Sequence, residues 1–333
     1  MKGTAMTLND LIKSQFDGFS PPPIRYSAST AHLYADYLEL LTVLQAREWF
    51  TASDLVKRFK DERITVVASS MERAGKSDAG ECFPAEIEDE YDRWAHQVFL
   101  QVQERIRLLQ ADYPFEIEAD RVRTKSDLTK RQKVYIMLLL CSNLHFVQKL
   151  QSVLTRDFEC IAAEVLRKFL PSHAVVKKFG SDTDYKGSAE DKIWSLAMDM
   201  DLDVNDEEVS KVDGNQDRGL DVVAWMPFRD GYPNFIAILG QCACGKQWYS
   251  KLSETRRYEH SYLNFRKAKP IHAIFVPRYL HFRDDLYQSD ELSDVLLFER
   301  LRIVQFLQDC EFFSSYDSSK IVDHYIALVE DLV

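Results

Sequence analysis

From residue 29 the apolar positions recur at three- and four-residue intervals, so that Leu33, Tyr37, Leu40, Leu41 and Leu44 share one face of an amphipathic helix. Residues 51–54 (TASD) cap a following short helix, DLVKRFKD. Residues 86–109 form a long charged helix with Tyr91, Trp94, Val98, Phe99, Val102 and Ile106 on its apolar side. Residues 115–122 read as a strand, and 129–154 as one or two helices. Residues 1–27 are an extended lead-in ending at Pro21-Pro22-Pro23, where three prolines forbid helix, and 77–80 is a loop. This part of the chain is mostly helical, and its leucines and aromatics belong to a core.

The texture changes at Phe158. Residues 158–170 (FECIAAEVLRKFL) make an amphipathic helix stopped by Pro171. Residues 188–200 (SAEDKIWSLAMDM) make another, with Ser188 as N-cap and Asp191 at the capping-box position. A loop rich in Asp, Asn and Gly over 211–219 leads into two short β-branched runs, LDVVAW (220–225) and FIAIL (235–239). The pairs Asp230-Gly231 and Pro233-Asn234 mark the turn between them. A polar, helix-like stretch follows, then a third buried-type strand over 270–276 (PIHAIFV) and a helix over 296–307. The layout is α/β. It predicts a mostly helical domain over 1–155, for recognition, regulation or partner docking, and an α/β domain over 156–333.

Composition adds limits. The 333 residues suffice for two domains, and the 46% hydrophobic and 29% charged content is that of a globular protein. Six cysteines are spread too thinly for a disulfide framework. No apolar h-region marks a secretory signal, and the most apolar run, 134–147, is broken by Ser142, Asn143 and His145. The expectation is a cytoplasmic protein without a membrane segment. A net charge of −11 argues against simple tight binding to nucleic acid, yet residues 246–283 hold nine Lys or Arg against two Glu. Within that stretch Arg256, Arg257, Arg266, Lys267 and Lys269 interleave with Tyr258, Tyr262 and Phe265, a pattern suited to DNA backbone contact with some stacking.

The chemical signal lies between Asn215 and Lys246. Asp221 opens one strand, Gln241 closes the next, and Lys246 follows five residues later. Phosphodiester hydrolysis needs a divalent cation on hard oxygen ligands, and a cation to stabilise developing charge. Adjacent antiparallel strands bring Asp221 and Gln241 side by side, with the Cys242 carbonyl as a further oxygen. Because Gln is neutral, an extra carboxylate is required. Glu190, early on the preceding helix, is the first candidate and Glu159 the reserve.

An acidic helix residue, then Asp217-Arg218-Gly219-Leu220-Asp221 on a strand, then a strand ending in Gln241, resembles the PD-(D/E)XK restriction-endonuclase-like superfamily, nearest its Mrr-type branch. The resemblance covers about residues 158–307. It implies an α-β-β-β-α-β core, Mg²⁺ or Mn²⁺ held by Asp221, Gln241 and Glu190, and catalysis by these residues with a lysine. The family pattern has that lysine two residues after the Glu or Gln, where this chain has Ala243, and Lys246 takes the role here. The implied function is a metal-dependent endonuclease acting on DNA in a prokaryotic anti-phage or restriction setting, with a helicase or ATPase partner or self-association. The alternative is a catalytically inactive nuclease fold that binds nucleic acid or docks such a partner.

Other chemistries lack their signatures. Cys242-x-Cys244 has no second Cys/His pair nearby, the eight histidines show no H-x-x-x-H spacing, and G-x-S-x-G, Walker A and G-x-G-x-x-G motifs are missing.

Overall fold

The computed structural model describes residues 22, 30–44, 49–62, 84–214, 218–228, 230, 234–282, 285–286, 292 and 294–327. The proline-rich lead-in apart from Pro22, the expected loop at 77–80, Asp217, and Gly231 and Pro233 of the expected turn lie outside them. The chain forms two compact units, one of Met1–Ile136, Leu280–Tyr287 and Ser319–Val333, the other of Met137–Tyr279 and Gln288–Ser318.

The first unit is built on α1 (Ala31–Leu44), β1 (Phe50–Thr51), α2 (Ala52–Asp61), α3 (Pro84–Leu109) and a hairpin of β2 (Phe115–Glu118) and β3 (Arg121–Thr124). The cap on α2 forms as expected, with Thr51 Oγ1 accepting from Asp54 N at 3.1 Å and Asp54 Oδ2 accepting from Thr51 N at 2.9 Å. The single strand expected over 115–122 is instead two, because the chain reverses at Ala119 with φ 54°. A buried charge sits among these apolar surfaces. Arg105 Nη1 donates to Asp36 Oδ1 and Glu39 Oε1, each at 2.7 Å, and the hydroxyls of Tyr113 and Tyr135 also donate to Glu39. Charge-assisted bonds of this kind offset much of the cost of burying the guanidinium. Tyr135 lies on α4 (Lys130–Ser142), which contributes residues to both units.

The second unit begins at Met137, ahead of the expected boundary at 155/156. The physical reason is α5 (Gln151–Phe169), which starts before that boundary and packs on β4 (Val175–Lys178), β6 (Val222–Met226) and β7 (Ile236–Cys242). Between β4 and β6 come α6 (Ala189–Met200), β5 (Asp203–Val204) and a helical turn at Asp206–Val209. After β7 come a 3₁₀ turn at Trp248–Lys251, a π-helical turn at Tyr258–Tyr262, β8 (Leu263–Asn264) and β9 (Ile271–Phe275). A hairpin of β10 (His281–Phe282) and β11 (Asp285–Leu286) belongs to the first unit. The chain ends with β12 (Val295–Phe298), α7 (Arg300–Phe306) and α8 (Asp317–Ala327). The helix expected over 296–307 is thus half strand: Glu299 accepts from the backbone N of Leu301 and Arg302, each at 2.9 Å, and starts α7 only there.

The central sheet has the order β12-β9-β7-β6-β4. β6 runs antiparallel to both β4 and β7, whereas β7, β9 and β12 are parallel. Alternation puts Val223, Trp225, Ala237 and Leu239 on one face, packed with Ile193, Leu196, Ala197 and Met200 of α6 and with Tyr258 and Tyr262. Because β4, β7 and β9 point the same way, the loops leaving all three emerge at one end of the sheet, where ligand sites of such sheets collect.

Candidate active site

At that end a cavity of about 570 Å³ opens within the second unit. It is lined by Glu159, Asp221, Gln241 and Glu254 together with His145, Lys246, Lys251 and Arg278. The β6–β7 register pairs Val222 with Gly240, so Asp221 and Gln241 meet one step beyond the last rung. Asp221 is 4% exposed and Gln241 3%. Asp221 Oδ2 accepts from Cys242 N at 2.6 Å and from Gln241 Nε2 at 2.8 Å. The other amide atom, Gln241 Oε1, is buried and has no hydrogen-bond partner among the described residues. A buried acceptor of that kind carries a desolvation cost of about 1–3 kcal/mol until something pairs with it.

Two glycines leave room around these groups. Phe179 N and Gly180 N both donate to the Asp221 carbonyl, at 2.7 and 3.0 Å, which holds position 180 over Asp221. A Cβ on Gly180 would lie 2.5 Å from Glu159 Oε2 and 2.9 Å from Asp221 Oδ1. The two carboxylates therefore converge on a space that only glycine leaves open. Glu159 is oriented there by Ser181, whose N and Oγ donate to it at 2.6 and 2.9 Å. A Cβ on Gly219, where φ is +87°, would lie 2.7 Å from Glu254 Cβ and 3.1 Å from Gln241 Oε1. The glycine of the Asp-Arg-Gly-Leu-Asp stretch thus serves both a left-handed turn and a close approach to the cavity.

The structure redistributes the expected roles. Glu190 sits in the first turn of α6 and is not among the residues lining the cavity; the helix-borne acid beside Asp221 is Glu159 of α5. The reason is topological, since α6 is inserted between β4 and β6 while α5 precedes the whole sheet. Lys246 lines the cavity, and so does Lys251, which the sequence reading passed over. Its positive charge acts on the Cys242 thiol, the residue bonded to Asp221, whereas the charges of Lys246 and Arg278 act on His145.

Electrostatics follow this division. Burial pushes the Cys242 thiol well up, and the carboxylates of Asp221 and Glu159 push it further, so it stays protonated. Burial lowers the pKa of Lys246, and the Arg278 charge lowers it again. His145 is pushed down to about 4 by burial and then by Lys246 and Arg278.

The basic stretch is reorganised. Tyr258 and Tyr262 are core residues at 0% and 7% exposure, so the expected stacking on bases is not open to them. Arg266 pairs closely with Asp203, and Lys269 lies 3.5 Å from Glu259. Arg257 and Lys267 are exposed, and Arg256 is half-buried. Lys269 precedes Ile271, which pairs with Ile238, three residues upstream of Gln241. At about 3.3 Å per residue this end of β9 is some 10 Å from the level of Gln241 along the strand. His272, buried there, bonds Thr255 Oγ1 and Glu259 Oε2, each at 2.9 Å, and Thr255 is 2% exposed. That hydroxyl–imidazole–carboxylate chain ties the segment to the sheet and offers no accessible nucleophile.

Among the described residues no group of three or more His, Cys, Asp or Glu side chains forms a preset metal cage. Two carboxylates approach each other over Gly180, and the amide of Gln241, bonded to Asp221, keeps an unmet oxygen; hard oxygens of this kind suit Mg²⁺ or Mn²⁺. Among the described residues no helix is long and apolar enough to cross a membrane. Compared with protein-family models, curated proteins and solved structures, this chain matches none.

Proposed function

We propose that the second unit is a metal-dependent phosphodiesterase acting on DNA, with the cation held by Asp221, Gln241 and Glu159. The observation that carries the reading is the approach of the Glu159 and Asp221 carboxylates over Gly180, with Gln241 hydrogen-bonded to Asp221 and its Oε1 acceptor unmet. The order α5-β4-β6-β7, helical turns, β9 follows the α-β-β-β-α-β succession of the PD-(D/E)XK resemblance and supports it, with α6 as an insertion.

When bound, the cation would polarise the phosphoryl group and lower the pKa of its water. The chain's own residues do the rest. Cys242 N holds the Asp221 carboxylate, and Ser181 holds Glu159, so neither has to reorganise. Lys251 is the cation beside the Asp221–Cys242 pair, suited to stabilise charge on the attacked phosphate. Ala243, at the signature lysine position, is buried at 1% exposure, which favours the competing reading of a nuclease fold that binds without cutting. A defence setting and a helicase or ATPase partner rest on the resemblance.

Titrating the full chain with Mn²⁺ in a calorimeter tests the proposal. One site is expected, lost in Asp221→Asn and Glu159→Gln and kept in Glu190→Gln. No binding, or binding indifferent to Asp221→Asn, refutes it.

A further inference from the structure

We propose that His145, Lys246 and Arg278 form a second oxyanion subsite, which holds the phosphate next to the scissile one in the bound strand. The identity of the strand rests on the nuclease reading, whereas phosphate binding itself does not.

Three separate elements bring these groups together. Lys246 comes from the loop after β7 and Arg278 from the loop after β9, parallel neighbours whose C-terminal ends lie side by side. His145 comes from the connection between α4 and α5. All three line the cavity that Asp221 and Glu159 line. Arg278 is buried at 4% exposure, with Nη2 donating to the carbonyls of Ser142 at 2.8 Å and Cys244 at 3.5 Å, so the guanidinium is fixed. The His145 ring packs on Phe146 at 3.8 Å between centroids, and its Nε2 is buried with no hydrogen-bond partner among the described residues.

Left alone, this cluster is electrostatically frustrated. Lys246 and Arg278 repel one another, and both oppose protonation of His145. An anion between them reverses each of those interactions at once. Donors from three separate elements can share the oxygens of a tetrahedral oxyanion, and the cavity volume of about 570 Å³ is within the range for a nucleotide-sized ligand. The carboxylates of Asp221 and Glu159 in the same cavity oppose a polyanion until a cation neutralises them.

The test is done in EDTA, titrating the full chain with inorganic phosphate and following histidine NMR signals, with acetate at equal ionic strength as control. The expected result is saturable binding that raises the pKa of one histidine, identified by its absence in His145→Gln. Lys246→Ala should weaken this binding about 10-fold or more, whereas Asp221→Asn, which removes a repelling carboxylate, should not weaken it. A thymidine trinucleotide, with two phosphodiesters, should displace the phosphate with the same Lys246 dependence. No saturable binding, equal affinity in Lys246→Ala, or equal displacement by acetate overturns the subsite. Phosphate binding that the trinucleotide cannot displace overturns its assignment to a strand. If Mn²⁺ binding at Asp221 fails while Lys246-dependent phosphate binding holds, the nuclease reading falls and the subsite stands.

Discussion

Replacing Gly180 by alanine separates the geometry of the Glu159 and Asp221 carboxylates from the stability of the fold. The added Cβ would lie 2.5 Å from Glu159 Oε2 and 2.9 Å from Asp221 Oδ1, closer than real Cβ contacts come. Asp221 is short and pinned by Cys242 N, so the longer Glu159 gives way. It then loses its bonds from Ser181 N and Oγ, a net cost of about 1–3 kcal/mol with water as substitute. Alanine recovers about 0.4–1 kcal/mol through the unfolded chain, since the backbone there is not left-handed. The metal-free variant should therefore be destabilised by only about 1–2 kcal/mol. Metal should distinguish the two proteins sharply. At 100 times its Kd, a cation stabilises the wild type by about 2.7 kcal/mol, and a variant without Glu159 in place gains far less. Urea unfolding with and without Mn²⁺ reads both quantities. An equal metal-induced shift in Gly180→Ala would refute the placing of Glu159 in the cation site.

Four further outcomes follow from the same geometry. Asp221→Ala should cost about 1–3 kcal/mol of stability by stranding the Cys242 N–H, checked by denaturation beside Asp221→Asn. Lys251→Ala should lower kcat for DNA cleavage about 10²–10³-fold, while Lys246→Ala should act mainly on KM, separated by steady-state kinetics. His145, lowered to about 4 from the usual 6.5, binds fewer protons folded than unfolded between those values. Stability should thus fall as pH drops through that window, and His145→Gln should flatten the slope in pH-dependent melts. In the first unit, Arg105→Ala should cost about 3–5 kcal/mol by leaving Asp36 and Glu39 buried without their partner, read as a loss of unfolding midpoint.

The strands that carry the site were legible because β6, β7 and β9 are β-branched runs between turn signals. Their antiparallel and parallel pairing follows from short and long connections, and the opposition of Asp221 and Gln241 follows from the pairing. β4 (VVKK) was not legible: a half-buried edge strand of four residues, two of them lysine, has no periodicity to read. β12 was hidden because LLFERLRIVQFL reads as one run of apolar residues at helical spacing, and only the cap by Glu299 divides strand from helix. These two omissions explain why the sequence pointed to Glu190: without β4 the helix nearest Asp221 in sequence is α6, whereas the carboxylate that approaches Asp221 in the structure is that of Glu159 on α5. The aromatics of 258–265 misled for a related reason, since alternating charge and aromatic suits a stacking surface and an amphipathic turn equally until burial is known. Lys251 lay beyond pattern reading, because its distance from Asp221 depends on how the turns after β7 fold back.

The decisive measurement is cleavage of supercoiled plasmid in Mg²⁺ or Mn²⁺ by the wild type, Asp221→Asn, Glu159→Gln and Glu190→Gln. Metal-dependent nicking by the wild type and Glu190→Gln, abolished in the other two, is the predicted result. Nicking that survives Asp221→Asn, or a wild type that neither binds Mn²⁺ nor cleaves, would contradict it.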